Sequence, residues 1–244
     1  MLCEIHKVLP GAAIHYVADS AWCPYGPRPA AEIRSRCETL VDQLIGLGCA
    51  VIVIACNSAT ISAIEHLRAT YPLPFVGMEP AVKPAAVLSK SGVIGIMATE
   101  ASLAGEKFHR LVDQHASSLR VITLPCPDFV SLVERGDLNS PAAREAAHRY
   151  TKDLVDKGAD VLVLGCSHYP FLRPLIEEAA GPGVIVVDTG SPIARRLVRI
   201  VSEEGLQLSP GPITLHSSSS PPPSRDLIKT LCPGLELEIA DQAW

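Results

Sequence analysis

The sequence predicts an α/β protein: two similar three-layer α/β domains with mostly parallel sheets, pseudo-symmetric, with the active site in the cleft between them. Three observations predict it. Apolar runs of strand length alternate with stretches of helical period along most of the 244 residues, and strands separated by helices pair in parallel through right-handed crossovers. The runs are near-continuous in Val, Ile and Leu, as in "DVLVLGC" (160–166), the pattern of strands covered on both faces. Two distant segments, "GCAVIVIACNSATISAIEHL" (48–67) and "GADVLVLGCSHYPFLRPLIEE" (158–178), share one plan: Gly, an apolar strand, a small residue, Cys, two polar residues, then a helix.

Taken in order, the strand candidates are "AAIHYVAD" (12–19), "CAVIVIAC" (49–56), "PFVGM" (74–78), "GVIGIMAT" (92–99), "RVITLPC" (120–126), "DVLVLGC" (160–166) and "GVIVVD" (183–188). Helical patterns fill the intervals at 30–48, 58–71, 102–116, 141–158 and 169–181, and one more helix is expected at 191–205. Beyond it, "HSSSSPPPSRD" (216–226) can hold neither a helix nor a central strand and reads as an exposed loop. The first domain is expected to comprise residues 1–80 plus 189–244 and to carry Cys56. The second, residues 81–188, carries Cys166.

Composition narrows the function classes. With 48% hydrophobic and 19% charged residues, the chain can bury a substantial core. Twenty-one basic side chains against 26 acidic ones give a formal charge of −5, and no Lys/Arg cluster is present to track a phosphate backbone, so nucleic acid is not expected as a partner. No apolar run reaches the roughly 18–20 residues of a membrane span, and "MLCEIHKVLP" lacks the basic start and apolar core of an export signal. The expected location is the cytoplasm. There the eight cysteines, which show neither paired spacing nor a C-x-x-C, stay reduced. No His and Cys lie at zinc-ligand spacing, and no metal is expected.

Cys56 and Cys166 stand apart from the other thiols because they end their strands at matching positions. Open α/β sheets bind ligands beyond the carboxyl ends of their strands. One such cysteine alone would read as a small hydrophobe; two at equivalent positions, followed by Asn57–Ser58 and Ser167–His168, suit two halves that each give a thiol to one cleft. The unpaired amides and dipole of a following helix would favour a thiolate, lowering the pKa from roughly 8.5. A protease-like nucleophile would leave Cys56 without a role, and a redox pair should meet as a disulfide. Two-base proton transfer uses both thiols: one takes a proton from one face of a carbon and the other delivers a proton to the opposite face.

The segments "VIACNSAT", "LGCSHYP" and "CPYGPR" resemble the signature segments of bacterial glutamate racemases in the aspartate/glutamate racemase superfamily, in their order and spacing. "FVSLVERG" (129–136) and "VDTG" (187–190) are similar to further landmarks, so the likeness extends to about residue 205. It implies a cofactor-independent enzyme that supplies D-glutamate for peptidoglycan, with no pyridoxal phosphate and no metal, acting as a homodimer. By the same resemblance, Cys56 and Cys166 match the catalytic thiols, His168 matches the histidine assisting the second, and Asp19 and Glu134 match supporting acids. Tyr25, Gly26, Asn57, Ser58, Thr99, Ser167 and His168 match substrate-binding positions. Hydroxyls, an amide and backbone N–H groups suit a ligand with two carboxylates.

Family members begin with a strand and an Asp-Ser-Gly-x-Gly-Gly loop. "MLCEIHKVLP" is similar to the helix after that loop, so a misassigned start, a damaged copy and a paralogue stand as alternatives. Two further functional readings also stay open: a racemase of aspartate or another amino acid, and an inactive racemase-like protein that binds without exchanging a proton.

Overall fold

All seven apolar runs hold a strand, each shorter than the run that marks it. The computed structural model describes residues 1–243. Its elements follow in order: α1 (Leu2–Val8), β1 (Ile14–Ala18), α2 (Ala30–Gly46), β2 (Ile52–Ile54), α3 (Asn57–Thr70), β3 (Phe75–Gly77) and α4 (Val82–Leu88). Next come β4 (Val93–Ala98), α5 (Glu100–Ala104), α6 (Glu106–His115), β5 (Arg120–Pro125), α7 (Pro127–Glu134), α8 (Pro141–Asp156) and β6 (Val161–Leu164). A 3-10 turn (Tyr169–Leu172) leads into α9 (Arg173–Ala180), then β7 (Ile185–Val187), α10 (Gly190–Glu203), β8 (Ile213–Ser217), α11 (Arg225–Leu231) and β9 (Glu238–Ala243).

The second half is a complete three-layer unit. Its sheet runs β5-β4-β6-β7, with every pair parallel. Successive side chains on a strand point to opposite faces, so Val161 and Val163 join Ile94, Ile96 and Phe108 on one side of the sheet. Leu162 and Leu164 join Met97, Phe129, Leu154 and Tyr169 on the other. Burial on both faces is why these strands read as unbroken apolar runs.

The first half is divided. β2 and β3 pair in parallel, with Ile33, Ile64 and Phe75 packed on one face and Ile5, Val76 and Leu197 on the other. β1 lies in a separate sheet, β1-β8-β9, also parallel. Residues 15–18 of β1 and 52–54 of β2 line one common cavity, and among the described residues no strand pairs with the free edge of either.

Three local expectations change. The helix expected over 102–116 breaks into α5 and α6 at Gly105, where a Cβ would come 2.2 Å from Ile61 Cγ2. The stretch 216–226 is not wholly an exposed loop: His216 and Ser217 are buried and finish β8, which is central in its sheet, and Arg225 opens α11. The prolines fall between these elements, so they interrupt neither. The helix expected over 169–181 opens as the 3-10 turn and becomes α-helical only at Arg173, so the two cysteine units part after the thiol.

No helix among the described residues is long and apolar enough to cross a membrane.

Candidate active site

Glycine brings Cys166 into place. Gly165 donates its N–H to the Met97 carbonyl at 2.7 Å, and a Cβ there would sit 2.9 Å from that same oxygen and 3.0 Å from Ala98 Cβ. Only a residue without a side chain lets β6 run so close beside β4 and deliver Cys166 at its end. On the other half, Cys56 has extended backbone (φ −141°, ψ 125°) and caps α3, its Sγ accepting the Ala59 N–H at 3.4 Å.

Both thiols line a cavity of about 690 Å³ that also receives Asp19, Tyr25, Gly26, Ser58, Thr99, Glu134, Ser167 and His168. Ten of the eleven residues singled out in the sequence therefore share one space. Asn57 does not: it is buried, and its side-chain amide makes no hydrogen bond among the described residues.

His168 links a thiol to a carboxylate. Its Nδ1 lies 3.8 Å from Cys166 Sγ, and its Nε2 lies 2.6 Å from Glu134 Oε1. Burial disfavours the charged imidazole, but contacts with Cys166, Cys23 and Glu134 outweigh it and raise the His168 pKa well above the usual histidine range. The same contact with His168 holds the Glu134 carboxyl below its ordinary value, against the effect of burial. The pair is an imidazolium and a carboxylate near neutral pH.

Cys56 has no such partner. Burial pushes its thiol up to about 11, although the Ala59 amide pulls the other way. The helix cap exists as the sequence suggests, but desolvation outweighs it, so the resting group is a thiol rather than a thiolate.

A hydroxyl cluster ties the halves together. Ser58 Oγ, at the start of α3, lies 2.8 Å from Thr99 Oγ1 at the end of β4 and 3.3 Å from Ser102 Oγ. Gly26 joins the seam by accepting the Ala101 N–H at 3.3 Å, and a Cβ on it would come 3.0 Å from Thr99 Cβ.

Asp19 is held by an arginine and a tyrosine. Arg36 grips its carboxylate with two hydrogen bonds, Nε to Oδ2 at 3.0 Å and Nη2 to Oδ1 at 2.6 Å, and the Tyr25 hydroxyl donates to it as well. Burial would raise the Asp19 pKa, but these partners and Ser218 bring it below the ordinary value. Sequence reasoning missed Arg36, Ser102 and Cys23; Cys23 Sγ lies 3.6 Å from Glu134 Oε1.

The Asp/Glu/Hydantoin racemase family model matches residues 3–222. The chain belongs to this family. Among curated relatives it is 46% identical over 221 residues to a glutamate racemase of Ectopseudomonas mendocina (strain ymp), covering 90% of this chain and 84% of that one. It is 48% identical over 224 residues to a glutamate racemase of Methylococcus capsulatus, with 91% and 82% covered. Among solved structures, the Escherichia coli glutamate racemase in complex with L-glutamate and the activator UDP-MurNAc-ala matches with a TM-score of 0.88. Identity there is 28%, over 98% of this chain and 91% of that chain. The Thermus thermophilus glutamate racemase in complex with beta-chloro-D-alanine gives 0.82 at 30% identity, over 99% and 91%.

Proposed function

We propose that the chain is a glutamate racemase that interconverts L- and D-glutamate by proton transfer between two thiols, without a cofactor, and supplies D-glutamate for peptidoglycan. The observation that carries this reading is the placement of Cys56 and Cys166, from matching positions in two halves, on one cavity, in a chain 44–48% identical to glutamate racemases.

The glutamate Cα lies between the thiols. The thiolate on one side takes the Cα proton, and the electron pair of the broken bond is held at Cα and its carboxylate. The thiol on the opposite side then gives its proton to the other face of Cα, inverting the centre. Each turnover leaves the thiols with exchanged protonation states, ready for the other enantiomer. No net electrons move.

Cys56 and Cys166 are the catalytic residues in this scheme. The imidazole of His168 stands beside the Cys166 sulfur as its hydrogen-bonding partner, and Glu134 keeps that imidazole charged. Asp19 positions Tyr25 through their hydrogen bond. Tyr25, Gly26, Ser58, Thr99, Ser167 and His168 supply the substrate-binding groups, and Asn57, lying off the cavity, is left out of this set. The domains are residues 1–80 plus 189–244 and 81–188, meeting at the Ser58–Thr99 seam. The assembly is a homodimer, checked by light scattering on the eluted protein. The location is the cytoplasm, where eight free thiols are maintained.

The test is α-proton exchange in D₂O, followed by NMR with L-glutamate, then D-glutamate, and L-aspartate as control. Deuterium entering glutamate with inversion, and not aspartate, is the expected result. A folded chain that exchanges neither enantiomer overturns the reading, and preferential exchange of aspartate reassigns the substrate.

A further inference from the structure

We propose that Cys23, Glu134 and His168 form a site for zinc or another thiophilic divalent cation, and that filling it reversibly shuts down the proton-transfer site. This regulation rests on the racemase reading above; the metal site itself does not.

The three residues come from three distant segments: the loop after β1, the end of α7 and the turn after β6. A thiol, a carboxylate and an imidazole together are the donor set zinc takes from proteins. Their ligating atoms lie within 4.8 Å of one another. Cys23 Sγ to Glu134 Oε1 is 3.6 Å and His168 Nε2 to the same oxygen is 2.6 Å. A tetrahedral zinc with bonds of about 2.0–2.3 Å separates its ligand atoms by roughly 3.3–3.6 Å. The Cys23–Glu134 distance already meets that geometry, and the His168–Glu134 distance must open by less than about 1 Å. All three side chains are partly exposed and line the cavity, which leaves the fourth position open to water or a substrate carboxylate.

Binding balances simply. The Cys23 thiol and the His168 imidazolium each release one proton, and three ligand–metal bonds replace the Glu134–His168 and Cys23–Glu134 hydrogen bonds. His168 then carries its remaining proton on Nδ1, toward Cys166, and can no longer gain or lose one at Nε2. Glu134 is likewise committed to the metal. The thiol machinery on the Cys166 side loses its tunable partner while both catalytic cysteines remain intact.

The test uses the purified chain with Co²⁺ as a spectroscopic probe and Zn²⁺ as competitor and inhibitor. The parent should bind one Co²⁺ with a thiolate-to-metal charge-transfer band, lose that band to Zn²⁺, and show racemisation that falls with Zn²⁺ and returns with a chelator. Cys23→Ser should lose the band, and its response to Zn²⁺ is read against its own metal-free rate. Its zinc sensitivity should fall by more than the roughly 10–100-fold that changes even outside the ligand shell produce. Absence of the band in the parent overturns the site. So does a Cys23→Ser chain, folded by circular dichroism, that keeps both band and zinc sensitivity, since the metal is then held by other thiols. Should the parent bind cobalt through Cys23 yet exchange no α-proton, the racemase reading fails while the metal site stands.

Discussion

Glu134 and His168 form a charged hydrogen bond of 2.6 Å, and the far nitrogen of the same imidazole faces the Cys166 thiol at 3.8 Å. A carboxylate 34 residues away in sequence thus sets the proton affinity of the ring beside one thiol. Cys56 lacks any equivalent and is governed by burial. The two sides of the proposed proton transfer are chemically unequal.

Glu134→Gln keeps the shape and removes the charge. The imidazole loses its counter-ion and no longer stays charged beside Cys166, and kcat should fall by about 10²-fold, at the low end of acid–base effects, with KM little changed. Because L- and D-glutamate have equal free energy in water, kcat/KM must fall by the same factor in both directions. Steady-state assays from each enantiomer check this. A raised KM at unchanged kcat would place Glu134 in substrate binding instead.

Arg36 and Asp19 are a nearly buried ion pair, with side chains 12% and 8% exposed. Removing one partner strands the other, so Arg36→Met should cost about 3 kcal/mol, at the lower end for broken buried pairs. Asp19→Asn combined with Arg36→Met should recover part of that loss, since no uncompensated charge remains. Urea midpoints of the parent, both single variants and the double variant give the coupling directly. Additive losses would mean that the pair does not interact.

Arg36 also marks where sequence reasoning stops. Val161–Leu164 and Val93–Ala98 were legible as strands because both faces are covered, and that leaves a pattern local to the residues themselves. Cys56 and Cys166 were legible because strand ends repeat. Arg36 and Cys23 gave no such signal: their partners lie 17 and 111 residues away, and Ser102 reaches Ser58 across 44. The break at Gly105 depends on Ile61 from another helix, and β8 needs β1 beside it before "ITLHS" becomes a strand. Contacts of long sequence separation leave no periodicity to read.

The inner edges of β1 and β2 should exchange their amides quickly. In a parallel strand alternate residues turn their N–H groups to opposite sides. Ile14 N–H donates to Pro212 O and Ile52 N–H to Pro74 O, both at 3.1 Å. His15, Val17 and Val53 therefore turn theirs toward the shared cavity, where no strand among the described residues receives them. Hydrogen exchange read by NMR should find these three amides much less protected than those of β4 and β6, which are paired on both sides. Equal protection would mean that the edges are covered in solution.

Asp160 gives the clearest pH signature. Its Oδ1 accepts from Ser89 Oγ at 2.6 Å and its Oδ2 from the Lys90 and Ser91 amides at 2.7 Å each. Burial would raise its pKa, but these donors lower it to about 2. An unfolded Asp titrates near 3.9, so the folded pKa is the depressed one, and the hydrogen-bonded carboxylate contributes stability at every pH above about 4. That contribution is lost as pH falls from about 4 toward 2, because the folded state is then the last to take up the proton. Asp160→Asn should unfold at lower urea than the parent at pH 7, and the two midpoints should converge on acidification through this window. Parallel pH profiles for parent and variant would show that the carboxylate charge contributes nothing, and that the Ser89–Ser91 turn is held by its own serines.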